Sequence, residues 1–221
     1  MNKVLKEVTP AIVALASLAF VQVAHAQGTA DYDRWWIRTG PAWVAFDEKA
    51  ELSVAGSTVP GAGADVKDNA AFITEFGYRF TPHISLGLTL GIPATTTLTA
   101  NGTAASVGKI GKVKYGPAGL TLQYQFDGIG GFHPYVGAGV TYLKVFSSSG
   151  EAVQNFDVHQ AWGGIAQIGT EYSLSKNIGL FIDLKKLILR TNATGTLGGA
   201  PVQAHVRLDP LVVQTGVMIR F

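Results

Sequence analysis

The stretch QAHVRLDPLVVQTGVMIRF, Gln203 to Phe221, closes the chain. From Leu211 onward every second side chain is one that hydrocarbon accepts: Leu211, Val213, Thr215, Val217, Ile219 and Phe221. Between them stand Val212, Gln214, Gly216, Met218 and Arg220. A period of two belongs to an extended strand, whose successive side chains point to opposite faces. One face here is apolar and the other mixed, and the segment ends on an aromatic residue. That suits the closing strand of a membrane β-barrel.

The alternation recurs upstream. Strands are expected at Arg34 to Asp47, Ala70 to Phe80, Ile84 to Pro93, Val113 to Phe126, His133 to Phe146, Val158 to Leu174 and Ile178 to Arg190, with Gln203 to Phe221 as the eighth. The connections Thr81 to His83, Asp127 to Phe132 and Ser175 to Asn177 are short. Glu48 to Asn69, Ala94 to Lys112, Ser147 to Asp157 and Thr191 to Val202 are longer and rich in Gly, Ser, Thr and Ala. An even strand number with this asymmetry defines an all-β fold: an eight-stranded antiparallel transmembrane β-barrel with short periplasmic turns and longer extracellular loops.

Composition agrees with that class. Of 221 residues 47% are hydrophobic and only 14% charged, yet beyond Gln27 no apolar run approaches the roughly 18 residues of a membrane helix. Residues 1–26 read as a signal peptide: Lys3 and Lys6, an apolar run from Ala11 to Val23, then Ala24-His25-Ala26. The barrel is then expected over residues 27–221. Setting aside Lys3, Lys6 and Glu7 leaves 15 basic against 14 acidic residues, and no basic patch suggests nucleic acid. Cysteine is absent, so an exported chain must be stabilised without disulfides, which a closed sheet in lipid does.

The two faces separate cleanly. Phe72, Phe76, Tyr78 and Phe80, then Ile84, Leu86, Leu88 and Leu90, Leu120, Leu122, Tyr124 and Phe126, and Val136, Ala138, Val140 and Tyr142 face lipid. In the seventh strand this phase holds only to Leu184, and adjacent Lys185 and Lys186 suggest a bulge. The opposite phase is charged near the short turns, with Arg38, Glu75, Arg79, Glu171, Asp183, Lys185 and Arg220 joined by glutamines 123, 125, 167 and 214. Higher up it is apolar: Val44, Phe46, Leu143, Val145, Ile165, Leu187 and Val212. Eight strands leave an interior just wide enough to be filled by side chains or to hold one small ligand. A paired polar plug below and an apolar pocket above are therefore expected.

Proline cannot donate to a strand ladder. Pro93 lies about nine residues above the start of the third strand and Pro117 about nine above the end of the fourth, so their heights coincide in an antiparallel pair. Pro41 and Pro210 make a second, looser coincidence across the closing seam. Nine residues at about 3.3 Å, tilted by roughly 40°, rise about 23 Å, near the outer edge of a 25 Å apolar band. Pairing is expected to lapse there, either as ordinary strand ends or as a sideways opening to the membrane.

YGPAGLTLQYQF (115–126), FHPYVGAGVTY (132–142), GTLGGAPV (195–202), LDP (208–210) and the terminal IRF resemble the outer-membrane protein W (OmpW) family, including its alkane-import branch, over essentially the whole mature chain. The resemblance implies uptake of small hydrophobic molecules with lateral release into the membrane, near the proline-interrupted wall; no energy-coupling motif is visible in the sequence, so passive movement down the concentration gradient is expected. Its implied partners are small hydrophobic solutes, outer-membrane lipid and the outer-membrane assembly machinery, with no cofactor. Unlike a surface built to gather solute, the long loops here offer few large apolar side chains.

Other motifs yield to simpler readings. Gly137 and Gly139 in VGAGV lack the third glycine and the helix of a dinucleotide fingerprint, and are expected to make room for large neighbours. His83, His133, His159 and His205 have no metal-ligand spacing. A lipid-modifying enzyme would need a serine among Ser147 to Ser149 with His159 and Asp157, supported only by proximity in sequence. No catalytic residue is assigned. A structural or adhesive barrel is the main alternative to transport.

Overall fold

The structure is a computed structural model describing residues 33–221. The expected signal peptide, residues 1–26, lies outside the described residues. The strands are β1 (Trp35–Ala45), β2 (Lys49–Val54), β3 (Ser57–Thr58), β4 (Ala62–Val66), β5 (Asn69–Arg79), β6 (Ile84–Gly91), β7 (Ala94–Gly102), β8 (Lys109–Gln125), β9 (Phe132–Gly150), β10 (Gln154–Val158), β11 (Ala161–Ser173), β12 (Ile178–Leu197), β13 (Ala200–Arg207) and β14 (Leu211–Arg220).

Eight of these close on themselves in the order β1, β5, β6, β8, β9, β11, β12, β14, each antiparallel to its neighbours. The terminal strand completes the ring, with Trp36 opposite Arg220 and Ala45 opposite Leu211. Closure leaves no sheet edge in the lower barrel, which a bilayer demands because lipid satisfies no backbone group. Along β14, Val213, Thr215, Val217 and Ile219 are exposed while Val212, Gln214, Met218 and Arg220 are buried, the phase expected from the sequence.

Four features differ from expectation. The four long connections are largely strand, because alternation of Thr with Ala or Gly carries little apolar contrast yet still presents Ala62, Ala64, Leu98 and Ala100 inward. They extend the wall outward: β13 pairs with β12 and β2, β4 with β7, β7 with β8, and β10 with β12. The eighth strand is split at Leu208-Asp209-Pro210, since Pro210 cannot donate and Asp209 has φ of +29°. No bulge occurs at Lys185 and Lys186; both keep register with β11 and β14, so Lys185 points in and Lys186 out.

The fourth difference is at the seam. Pro41 pairs with Phe72 on the β5 side, while towards β14 it lies level with Thr215 and Gly216, well below Pro210. Gly40 and Gly216 meet there so closely that a Cβ on Gly40 would come 2.1 Å from the Thr215 carbonyl oxygen. The Pro41 and Pro210 interruptions are thus at different heights and do not form one gap.

Candidate functional site

The lower lumen is a hydrogen-bonded floor. Arg38 of β1 stands opposite Glu75 of β5 and is 2% exposed. Its Nε donates to Glu171 at 2.8 Å and its Nη1 to Gln123 at 3.0 Å, with Glu75 at 3.4 Å. Glu171 also accepts from Arg220 at 2.6 Å and from Gln125 at 3.2 Å. Gln125 in turn accepts from Arg79 at 2.7 Å. On the other side Asp183 accepts from Lys185 at 2.7 Å, from Gln167 at 2.6 Å and from the Tyr135 hydroxyl, and Lys185 lies 3.6 Å from Glu75. All seven charged residues expected in the plug are therefore joined. Ions removed from water are tolerated only when paired and hydrogen-bonded like this.

Two aromatic residues that the sequence reading did not single out complete the floor. The Arg38 guanidinium lies 4.1 Å from the Trp36 ring centre and 4.0 Å from that of Tyr135, a cation sandwiched between two π faces. Gly77 and Gly169 make the room: a Cβ at Gly77 would fall 1.9 Å from Trp36, and one at Gly169 2.4 Å from the Tyr135 hydroxyl. Inward-phase glycines were the signal available for them. Gly137 plays the expected part beside Gln123 and Gln167, whereas Gly139 admits the Leu120 carbonyl instead of a side chain.

Above the floor Ala42, Val44, Ile73, Ile165, Leu187 and Val212 pack together. Over them opens an apolar cavity lined by Val44, Phe46, Leu143, Val145, Leu187 and Val212, with Val66, Leu98, Val113, Tyr115, Leu189, Val206 and Leu208. Of the seven apolar lumen residues named from the sequence, only Ile165 is absent from this lining; it sits in the packed layer beneath. A second apolar cavity lies among the outer strands, lined by Leu52, Val54, Val59, Ala62, Ala64, Ala100, Ile110 and Phe156 among others. Leu98, Ala193 and Val206 line both. The long connections thus line the outer cavity with alanines and, beyond what their composition led one to expect, with larger apolar residues such as Leu52, Val59, Ile110 and Phe156.

The first cavity reaches the wall where the ladder fails. Between β6 and β8 pairing stops at Leu90 and Ala118, and between β7 and β8 it resumes at Ala94 and Tyr115. Gly91, Ile92 and Pro93 therefore face Gly116 and Pro117 without ladder bonds, and neither proline can supply one. Gly91, Ile92 and Pro117 line the cavity, and Ile92 is 63% exposed outside. On the far side Ile92 donates to Phe72 O at 3.0 Å, so the break opens on its β8 side.

The Pro210 interruption is built differently. Leu187 N donates to Pro210 O at 3.0 Å, Leu208 N to Leu189 O at 2.9 Å and Asp47 N to Leu208 O at 3.3 Å. The Asp209 carboxylate accepts from Leu189 N at 3.1 Å and from Arg207, while Lys186 Nζ donates to the Asp209 carbonyl. Pro210 lines the cavity, but its seam is stitched.

The Ser-His-Asp grouping near the rim is not assembled by any bond between serine and histidine among the described residues. Ser148 Oγ accepts from Val158 N at 3.2 Å, and His159 lies 3.8 Å from Asp157.

A closed, eight-stranded antiparallel sheet with an apolar outer band and a polar floor is an outer-membrane β-barrel. The chain belongs to the OmpW family, whose model matches residues 34–221. The dibenzothiophene metabolism operon protein PahQ of Pseudomonas aeruginosa is 35% identical over 87% of this chain and 90% of its own length. Outer membrane protein AlkL of Ectopseudomonas oleovorans is 30% identical over 79% of this chain and 76% of its own. AlkL's solid-state NMR structure in lipid bilayers matches at a TM-score of 0.70 and 28% identity, covering 89% of this chain and 95% of that one. The crystal structure of OprG from P. aeruginosa shares the fold, with a TM-score of 0.80 at 24% identity over 86% and 96% of the two chains. The protein is thus an outer-membrane protein.

Proposed function

We propose that the barrel is a passive route for small hydrophobic molecules across the outer membrane. Solute is received in the outer apolar cavity, passes to the inner one, and leaves sideways into the membrane between Gly91-Ile92-Pro93 and Gly116-Pro117. The observation carrying this reading is that an apolar cavity stands on a charged floor and reaches the wall at its unpaired segment. Downward passage would bring an apolar molecule against buried ions, where it offers no hydrogen bond in exchange. Sideways passage exchanges one apolar environment for another. PahQ's name ties that relative to metabolism of dibenzothiophene, an apolar aromatic, which is the solute class this cavity suits.

Binding and release need only apolar complementarity, so we assign no catalytic residue, cofactor or energy source. The partners in this reading are the hydrophobic solute, the surrounding lipid and the outer-membrane assembly machinery.

Whole-cell uptake of a medium-chain alkane, with and without this protein and with other pores held constant, tests it. A gain for the alkane and none for a small sugar is expected. Absence of any gain over a range of apolar probes, with folded protein at the surface, would favour a structural or adhesive barrel.

A further inference from the structure

The outward face carries a row of cations. Arg190 of β12 stands directly opposite Arg207 of β13, and Arg207 directly opposite Lys49 of β2. All three are exposed. Like charges opposite one another across strands destabilise the pairing unless an anion lies over them. Asp209 engages Arg207 only through Nε, which leaves the terminal guanidinium nitrogens as donors. Among the described residues neither Arg190 nor Lys49 forms an ion pair. One row farther out Glu51 faces His205, so Asp209 and Glu51 are the carboxylates bordering the three cations, and only Arg207 is paired with one.

Two independent observations set the height of this row. Continuing round the barrel, Gly163 pairs with Leu189, which brings Trp162 beside Arg190; Trp162 pairs with Tyr142, their rings 4.8 Å apart. Trp and Tyr collect at the membrane interface. Arg190 also lies about 12 residues beyond Ile178, or about 30 Å of rise at 3.3 Å per residue and roughly 40° of tilt, just past a 25 Å apolar band. Below it on the same face Ile188 is 59% and Leu184 39% exposed, and Lys186 between them turns its ammonium to Asp47 and the Asp209 carbonyl.

We propose that Lys49, Arg207 and Arg190 bind the phosphate of an outer-leaflet glycolipid, whose acyl chains lie against Ile188 and Leu184. The outer leaflet of this membrane is built on a phosphorylated glucosamine lipid, which holds a phosphate at the height of the row. Guanidinium forks match phosphate geometry bidentately, and clustered cations at an interface select anionic headgroups. Acyl chains fix the phosphate at this height, as nothing fixes a dissolved ion. The lipid would relieve the repulsion within the row and hold β12, β13 and β2 together.

The test titrates the purified mature barrel in detergent with bisphosphorylated lipid A, dephosphorylated lipid A and inorganic phosphate, counting bound molecules by native mass spectrometry. Phosphorylated lipid A is expected to bind most tightly. Affinity should fall roughly fivefold for each of K49Q, R190Q and R207Q, and roughly a hundredfold for the triple variant. These side chains face outward, so the variants should fold, as heat-modifiable migration on a gel would verify. K112Q/K114Q removes two exposed cations elsewhere and should bind as wild type does. Equal loss in K112Q/K114Q, wild-type affinity in the triple variant, or equal binding of the dephosphorylated lipid overturns the site. Inorganic phosphate binding as tightly as the lipid overturns its assignment to a glycolipid.

Discussion

Asn69 of β5 donates a hydrogen bond of 2.8 Å to the phenol oxygen of Tyr115 in β8, although β6 separates those strands in the sheet. The bond spans the interval where β6 gives way to β7, just inside the proline break. It ties together two parts of the wall that the ladder leaves apart.

Removing this tie should ease opening. A hydrogen bond contributes about 0.5–1.5 kcal/mol net, or roughly two- to tenfold in an opening equilibrium. Asn69→Ala is therefore expected to raise the alkane uptake rate several-fold without changing the amount of folded barrel. A rate equal to wild type would show that the bond does not limit release.

Restoring donors should do the reverse. Pro93→Thr with Pro117→Val supplies two N–H groups where the ladder lacks them, and lets β8 pair without interruption. Uptake should fall to the level of cells lacking the protein, and the urea unfolding midpoint should rise. Undiminished uptake in the folded double variant would rule out this exit.

Charge in the cavity should block passage. Val44→Asp and Leu143→Asp each put a carboxylate among apolar side chains at the lining, so an apolar solute loses its site while the open space spares the fold. Uptake should drop at least tenfold, on the order of the smaller desolvation penalties. Unchanged uptake in either folded variant would count against the pocket.

The floor should carry stability. Arg38→Ala leaves Glu75 and Glu171 buried without their shared cation, at an expected cost of about 3–5 kcal/mol. Urea unfolding in lipid vesicles would measure it. A change below about 1 kcal/mol would mean that Arg220 and Lys185 compensate.

Much of this was legible in the sequence because a barrel wall is read by period. Arg38, Glu75 and Asp183 betray the floor simply by standing in phase opposite Phe76 and Ile182, and Val44 and Val212 betray the pocket by the same count. Trp36 was less visible, since its neighbour Trp35 takes the lipid face and adjacent identical residues carry no phase. The outer strands escaped because Ala, Thr and Gly differ little in hydropathy, so an alternation such as Ala62-Gly63-Ala64 reads as a loop. The separation of Pro41 from Pro210 needed the register itself, which only the β1–β14 pairing supplies.

The bond between Arg38 and Glu171 joins residues 133 positions apart in sequence. Glu75, Gln123 and Asp183 contribute to the same floor from three further strands. Arg38 and Glu75 stand on adjacent strands and Lys185 and Asp183 on one strand, but Arg38 and Glu171 lie on β1 and β11, which meet only across the lumen. Pairing β1 with β14 curls the sheet on itself, so the ladder that removes the last edge also brings this cross-lumen pair together.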